Sequence, residues 1–308
     1  MGIVSNQGVS SVAMRADLRQ PTTPPGRDPV ASVTRRTFLK RVGCVAAAAF
    51  LPACGGYSLL EARWLGVYRS ELPLSGLPVA FDGLRICQLT DVHHGPYLSL
   101  ERVREAVDVA NGLNPHLIAL TGDYVHRKPD YISPCFAALA GLRAPLGVYG
   151  VLGNHDHWED EHLTRQEMAK AGIVDLTNAG SPLPQGGQWL WIAGVGDLWE
   201  DEQLPERALQ GVPAEGAAIL LSHNPDYNEQ LQDRRVKLML AGHTHGGQVR
   251  LPLFGPPLLP SKFGQKYAAG LVEDGWKRVY VSRGVGTVTP PVRFGCRPEV
   301  TLLTLRSA

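Results

Sequence analysis

Four short apolar runs in this chain each end in a cluster of Asp, Asn or His, and no other feature restricts the fold as much. Residues 84–89 lead into Asp91-Val92-His93, and 116–121 into Gly122-Asp123. Residues 147–152 lead into Gly153-Asn154-His155-Asp156, and 236–241 into Gly242-His243-Thr244-His245. Short apolar runs bounded by turn residues read as buried strands. Polar groups at the carboxyl ends of such strands converge on one crevice. One Gly-Asn-His-Asp would be weak evidence, whereas four clusters of this kind define a site.

Helical patterns separate the first strands. Ser99 can cap a helix whose Val103, Ala106, Val107 and Ala110 share one face. Further helices are expected near 131–140 and 161–171. From residue 189 onward strands dominate, at 190–195, 217–221, 236–241, 279–282 and 300–305, and an earlier edge strand falls within 56–76. A βαβαβ start followed by a strand-rich half predicts two packed sheets with helices outside, in the α/β (α+β) class. The expected organisation is an N-terminal segment 1–54, a linker with an edge strand at 55–76, and a catalytic body at 77–308.

The 308 residues are 44% apolar and 19% charged, which permits a sizeable core and excludes global disorder. The net charge of +1 is unevenly spread. Residues 1–54 hold seven Arg or Lys and two Asp, which leaves the rest with 23 basic and 27 acidic residues, a balance of −4. A body without a basic footprint is a poor nucleic-acid binder, so no nucleic-acid partner is expected. Of the five cysteines, Cys44 and Cys54 belong to the N-terminal segment, and Cys87, Cys135 and Cys296 show no metal-type spacing. Cys87 is expected in the core, and nothing supports a Cys135–Cys296 disulfide.

Residues 1–34 are rich in Pro, Ser, Thr and Gly, read as disordered, and leave the start open between Met1 and Met14. Thr34-Arg35-Arg36-Thr37-Phe38-Leu39-Lys40 then precedes an apolar run at 42–51 and Pro52-Ala53-Cys54. A basic region, a short apolar region and a small-residue site make a secretory signal. The run is too short to span a bilayer, which takes roughly 20 residues. The paired arginines resemble a twin-arginine (Tat) signal, which implies the Tat export machinery as a partner. Leu51-Pro52-Ala53-Cys54-Gly55 resembles a lipobox, with Pro52 a departure from the commonest pattern. The expectation is an exported protein, periplasmic or at the outer face of the cytoplasmic membrane, with three fates open for this segment: a lipid on Cys54, cleavage without lipid, or retention as an anchor.

The candidate ligands are Asp91, His93, Asp123, Asn154, His223 (in Ser222-His223-Asn224), His243 and His245. Four imidazoles, two carboxylates and one amide suit Mn, Fe or Zn better than Ca or Mg. Seven donors exceed one tetrahedral site and fit two divalent ions sharing a carboxylate. Asp91 and His93, two apart, are expected on one side of the pleat. Together the blocks resemble the calcineurin-like metallophosphoesterase superfamily over residues 84–305. Gly242 to Gln248 and Pro298-Glu299-Val300-Thr301 are similar to its exported YkuE/YaeI-type branch. The resemblance implies a four-layer αββα sandwich. It also implies Asp91, His93, Asp123 and His245 around one ion and Asp123, Asn154, His223 and His243 around the other, with Asp123 bridging. His155 matches the histidine that faces the leaving group, so His155 and Asp123 are the expected catalytic pair. Two such ions activate a shared water and clamp the phosphoryl oxygens.

Asp156 is expected to orient a ligand or catalytic histidine. His94 and His157 are expected in the pocket wall or behind the ligands, and His116, His126 and His162 at the surface. The apolar, Pro-rich stretch 246–259 follows two ligands directly. It reads either as a rigid loop packed under the site or as a surface for lipid. Arg250, Lys262, Arg283 and Arg293 are candidates for a substrate phosphate. The expected activity is phosphodiester or pyrophosphate hydrolysis of an envelope metabolite, with a lipid-linked one as a candidate. The alternatives are a broad phosphomonoesterase and a non-catalytic metal-binding scaffold. Replacing Arg35 and Arg36 together by Lys should leave the precursor in the cytoplasm, read by cell fractionation; normal export would rule out the Tat route.

Overall fold

Period-two alternation sets which way each strand faces. In Leu117–Thr121, Leu117 and Ala119 join one core cluster while Ile118 and Leu120 join another. In Ala218–Leu221, Ile219 and Leu221 face the first of these clusters while Ala218 and Leu220 face a third. The shared cluster therefore lies between two sheets, and the other two lie on their outer faces.

The computed structural model describes residues 34–36, 39, 40, 42 and 54–308. Two compact units are distinguished, Met1–Ala49 and Phe50–Ala308. In the first, Arg35, Arg36, Leu39, Lys40 and Val42 are helical. Residues 1–33, expected to be disordered, most of the export signal, and residues 51–53 of the lipobox lie outside the described residues.

In the second unit the strands, in chain order, are β1 (Gly66–Leu74), β2 (Arg85–Leu89), β3 (Leu117–Thr121), β4 (Val148–Val151), β5 (Val174–Asp175) and β6 (Ala179–Gln185). Then follow β7 (Gln188–Gly194), β8 (Ala218–Leu221), β9 (Val236–Ala241), β10 (Gly270–Asp274), β11 (Lys277–Val281) and β12 (Glu299–Ser307). The helices are α1 (Leu100–Gly112), α2 (Ile132–Leu139), α3 (Asn154–Lys170) and the short α4 (Pro205–Ala208). One six-stranded sheet is ordered β1-β12-β2-β3-β4-β5 and the other β10-β11-β9-β8-β7-β6. Both are mixed. β2 to β5 run parallel, as do β7, β8, β9 and β11, while β12 on β2, β6 on β7 and β10 on β11 are antiparallel. α1, α2 and α3 cover the outer face of the first sheet, with Val103, Phe136 and Met168 packed on Cys87, Ile118 and Leu120. The outer face of the second sheet is covered more thinly, by α4 and the 3-10 turns Pro225–Glu229 and Gly264–Tyr267. The two mixed sheets with flanking helices agree with the sequence reading.

Three expectations are corrected. The stretch expected as a linker before β1 is helical at 54–61 and is fastened to the body: the buried Glu61 accepts the N–H groups of Gly295 and Cys296, at 3.0 and 2.8 Å. The helix expected at 161–171 begins at Asn154, because Asp156 accepts the Gly153 N–H (2.9 Å) and closes a first turn there. Its backbone breaks at Asp160, whose side chain accepts the Leu163 N–H, and only the second half carries the pattern read from sequence. The weakly patterned β5, β6 and β10 escaped the sequence reading. Cys87 is buried in the core, as expected, and Cys135 and Cys296 are buried free thiols. No helix among the described residues is long and apolar enough to cross a membrane.

The fold positions a site because β2, β3, β4, β8 and β9 all end at one edge of the sandwich. Gln88, fully buried on the inner face of β2, joins the sheets there by donating to Thr121 Oγ1 (3.0 Å) and to the Ala241 carbonyl (2.9 Å). The inter-sheet cluster is the main source of stability, so Leu190→Ala, at a fully buried position within it, should lower the unfolding free energy by about 2–5 kcal/mol in urea titration. Metal content should not change.

Candidate metal centre

The ligand loops are built from left-handed backbone. Asp91, His93, Asp123, His243 and His245 have φ of 49°, 49°, 59°, 68° and 51°. Left-handed non-glycine residues are uncommon, and strain of this kind collects at functional sites. Convergence of Asp91 and His93 therefore comes from a tight loop after β2, where the sequence reading expected strand alternation. Two glycines make room. Gly122 (φ 88°) turns the chain before Asp123, and a Cβ on it would lie 2.5 Å from the Gly153 nitrogen. A Cβ on Gly153 would collide with the Asp123 carboxylate.

All seven expected ligands meet at the shared edge, and all are buried. Asp91, His93 and His245 form one group and Asp123, His223 and His243 a second. His93 Nε2 lies 3.0 Å from His245 Nε2, and Asp91 Oδ1 lies 3.3 Å from His245 Nε2. His223 Nε2 lies 3.2 Å from both Asp123 Oδ2 and His243 Nδ1. Metal–nitrogen bonds of about 2.0–2.1 Å put two donors on one ion about 3.0–3.4 Å apart. Asp123 Oδ2 also lies 3.4 Å from His93 Nε2, so one oxygen faces both groups. Asn154 Oδ1 is buried beside them without a hydrogen-bond partner, an acceptor that a cation would satisfy.

The electrostatics suit a divalent ion. Burial pushes the pKa values of His93 and His245 well below the imidazole range, and that of His243 down to about 3. These rings are neutral donors near pH 7, the state that metal binding requires. Burial opposes an ionised Asp123, but the charge and hydrogen bond of His223, then His155 and His93, hold its pKa well below the usual range. The residues present fit two divalent cations.

The groups around the ligands correct several expectations. Asp156 contacts no histidine. Its carboxylate accepts three backbone N–H groups, from Asp123 (2.8 Å), Tyr124 (2.9 Å) and Gly153 (2.9 Å), and so ties the β3 loop to the β4 loop. His126 is buried, not at the surface. Its Nδ1 lies 3.3 Å from His155 Nδ1, and its ring centroid is 5.5 Å from that of His93. His94 is buried with Nδ1 on the Leu98 carbonyl, outside the cavity lining, His157 pairs with Glu161, His116 is half-buried beside Arg85, and His162 is exposed. Arg293 cannot meet a substrate. It is fully buried, and its guanidinium donates to the His245 carbonyl (3.1 Å) and lies 3.3 Å from His245 Nδ1. Arg283 pairs with Glu299.

A cavity of about 560 Å³ opens onto the ligands. Its lining brings Asp123, Asn154, His155, His243 and His245 together with Pro257, Leu258, Leu259, Val288 and Val292. No Arg or Lys lines it. Residues 247–249 and 257–260 line the cavity, so the two ends of stretch 246–259 form part of its wall. Two tryptophans that sequence reasoning missed flank the opening. Trp199 meets the His243 ring edge-on at 4.4 Å, and Trp158 meets His155 at 4.7 Å. Asp197, also missed, accepts the N–H groups of Trp199 and Glu200 and so shapes the Trp199 turn. It stands after β7 as Asp91 stands after β2, a placement that could have pointed to it.

Residues 84–247 match the family model described as calcineurin-like phosphoesterase. The chain belongs to the calcineurin-like phosphoesterase family. It is a metal-dependent phosphoester hydrolase, and the buried His/Asp clusters are its metal-binding groups. The uncharacterized metallophosphoesterase YkuE of Bacillus subtilis (strain 168) is 34% identical over 282 residues, 89% of this chain and 98% of that protein. Phosphodiesterase YaeI of Escherichia coli (strain K12) is 33% identical over 283 residues, 89% of this chain and 99% of that protein. A Danio rerio transmembrane protein with a metallophosphoesterase domain is 31% identical over 253 residues, 77% of this chain and 56% of that protein.

Removing the Asp156 carboxylate leaves three buried N–H donors without an acceptor, each worth roughly 1–3 kcal/mol. Asp156→Ala should therefore lower stability by at least about 3 kcal/mol and reduce bound metal, while Asp156→Asn, which keeps one acceptor oxygen, should lose less. Denaturant titration with metal analysis reads both effects, and full metal occupancy in the Ala variant would contradict the bracing role.

Proposed function

We propose that the chain hydrolyses a phosphodiester or pyrophosphate bond in an envelope metabolite that carries a lipid group. The observation that supports this reading is the mixed cavity lining, which holds Asp123, Asn154, His243 and His245 together with Pro257, Leu258, Leu259 and Val292. Apolar side chains in the same cavity as the ligands favour a substrate with an apolar substituent. The absence of Arg and Lys from the lining favours a diester, with its single negative charge, over a monoester, whose second ionisation falls near pH 6. The name of the YaeI relative, a phosphodiesterase, points the same way.

In this reading Asp91, His93, Asp123 and His245 hold one divalent ion, Mn, Fe or Zn. Asp123, Asn154, His223 and His243 hold the other. Bound ions supply Lewis acidity toward the phosphoryl group and an activated water nucleophile. The chain's own residues do the rest. His155 donates its backbone N–H to Asp123 Oδ1 (2.9 Å), and its half-buried ring projects into the cavity beside the His93 ring (4.7 Å). There it protonates the leaving oxygen. Trp158 and His126 pack against that ring and limit its rotation. Trp199 shields His243 from water.

The paired Arg35 and Arg36 direct Tat export, a lipid on Cys54 holds the protein to the membrane periphery, and the substrate lies outside the cytoplasm. Metal analysis with hydrolysis of bis-p-nitrophenyl phosphate and p-nitrophenyl phosphate tests the reading. About two ions per chain and faster diester cleavage are expected. Monoester cleavage alone would make the enzyme a phosphomonoesterase, and metal without either activity would favour a binding scaffold. Asp123→Asn should abolish turnover and release at least one ion. His155→Ala should keep both ions and slow turnover by about 10²–10⁴; loss of both ions would contradict its role.

A further inference from the structure

We propose that the body docks on an anionic phospholipid surface through one continuous apolar face, formed by loop 251–258 and the helix at 54–61. The loop presents Leu253 (102% exposed), Leu258 (81%) and Phe254 (78%) to solvent. It is held in that shape. Leu251 and Gly255 pair their backbones, and the Gln265 side chain donates to the carbonyls of Phe254 (2.9 Å) and Pro256 (3.2 Å). A fixed loop that turns three bulky apolar side chains outward is a surface awaiting a partner.

Phe294 joins this loop to the helix. Its backbone bonds Gln248 (2.8 Å) and Arg250 (2.7 Å), and its ring meets Tyr57 edge-on at 5.9 Å. The helix adds exposed Tyr57, Leu59 and Leu60, while its Glu61 and the Ser58 carbonyl fasten it to residues 293–296. The apolar run 42–51 precedes this helix by two residues in the sequence.

Charge decides between a bilayer and a protein partner. No Asp or Glu occurs between residues 246 and 272 or between 275 and 298, and the helix's own acid, Glu61, is buried. Arg63, Lys262 and Arg297 are exposed in these segments. Exposed apolar side chains with these cations in the same segments, and no exposed acid within those segments, suit anionic headgroups over an acyl layer. Leu258 belongs both to this face and to the cavity lining. Resting on the reading of a lipid-linked substrate, docking would bring the cavity mouth to the bilayer and let an acyl chain pass along the loop.

The test is hydrogen exchange read by mass spectrometry on the full chain, free and mixed with phosphatidylglycerol–phosphatidylcholine vesicles. Amides of 54–62 and 251–259 should exchange several-fold more slowly on vesicles, and the β6–β7 hairpin at 183–190, at the opposite end of the sandwich, should not change. Protection confined to residues before 54 would mean a tether without a docked face and would overturn the proposal. So would no protection, or equal protection from raising protein concentration without vesicles, which would make the face a contact between copies. Leu253→Ser with Phe254→Ser should remove the protection of 251–259 and leave hydrolysis of soluble bis-p-nitrophenyl phosphate unchanged. Vesicle protection in an inactive protein would count against the hydrolase reading alone, and an active protein without protection would count against docking alone.

Discussion

A single carboxylate, that of Asp123, organises the site. It is almost fully buried, with one oxygen facing His223 and His93 and the other accepting the His155 N–H. An isolated carboxylate at such a depth would be protonated. Here the surrounding imidazoles keep it ionised, and the loops that carry them are arranged to reach it. Asp156 holds the Asp123 backbone, the left-handed turn after Gly122 aims the side chain, and the bare Gly153 leaves it space. The ends of β3, β4 and β8 are thus mutually dependent.

The group of Asp91, His93 and His245 depends on a different support. Arg293, buried without a carboxylate against its guanidinium, reaches the His245 carbonyl and lies beside the His245 ring, and donates to the carbonyls of Arg283 and Gly286. The Arg293 N–H bonds the Ser58 carbonyl, and Glu61 holds the next turn. The helix at 54–61 is therefore a strut two steps from His245, and loosening residues 293–296 would free the His245 loop.

The two sheets contribute unequally. The first, under three helices, supplies Asp91, His93, Asp123, Asn154 and His155. The second supplies His223, His243 and His245, and its thinner cover leaves the loops after β9 free to rise as a cavity wall. The second sheet thus contributes both metal-binding histidines and the leucines of the cavity lining.

The sequence by itself determined the strongly patterned strands, their facing pattern, the ligand inventory and the family. Each was legible because a buried strand needs period-two apolar residues, and the chemistry needs Asp, Asn and His at strand ends. Residues 117–121 and 236–241 could be read for the first reason, and Gly153 to Asp156 for the second. The tertiary structure alone decided what depends on distant neighbours. Arg293 and Asp156 look in sequence like a phosphate binder and a histidine's partner, yet one is buried against the His245 loop and the other grips backbone amides. His126, Trp158 and Trp199 carry no local signal, because their place beside His155 and His243 is set by loops that meet only when the strands align. Local pattern fixes direction along a strand; which side chains share a pocket is fixed by how two sheets pack.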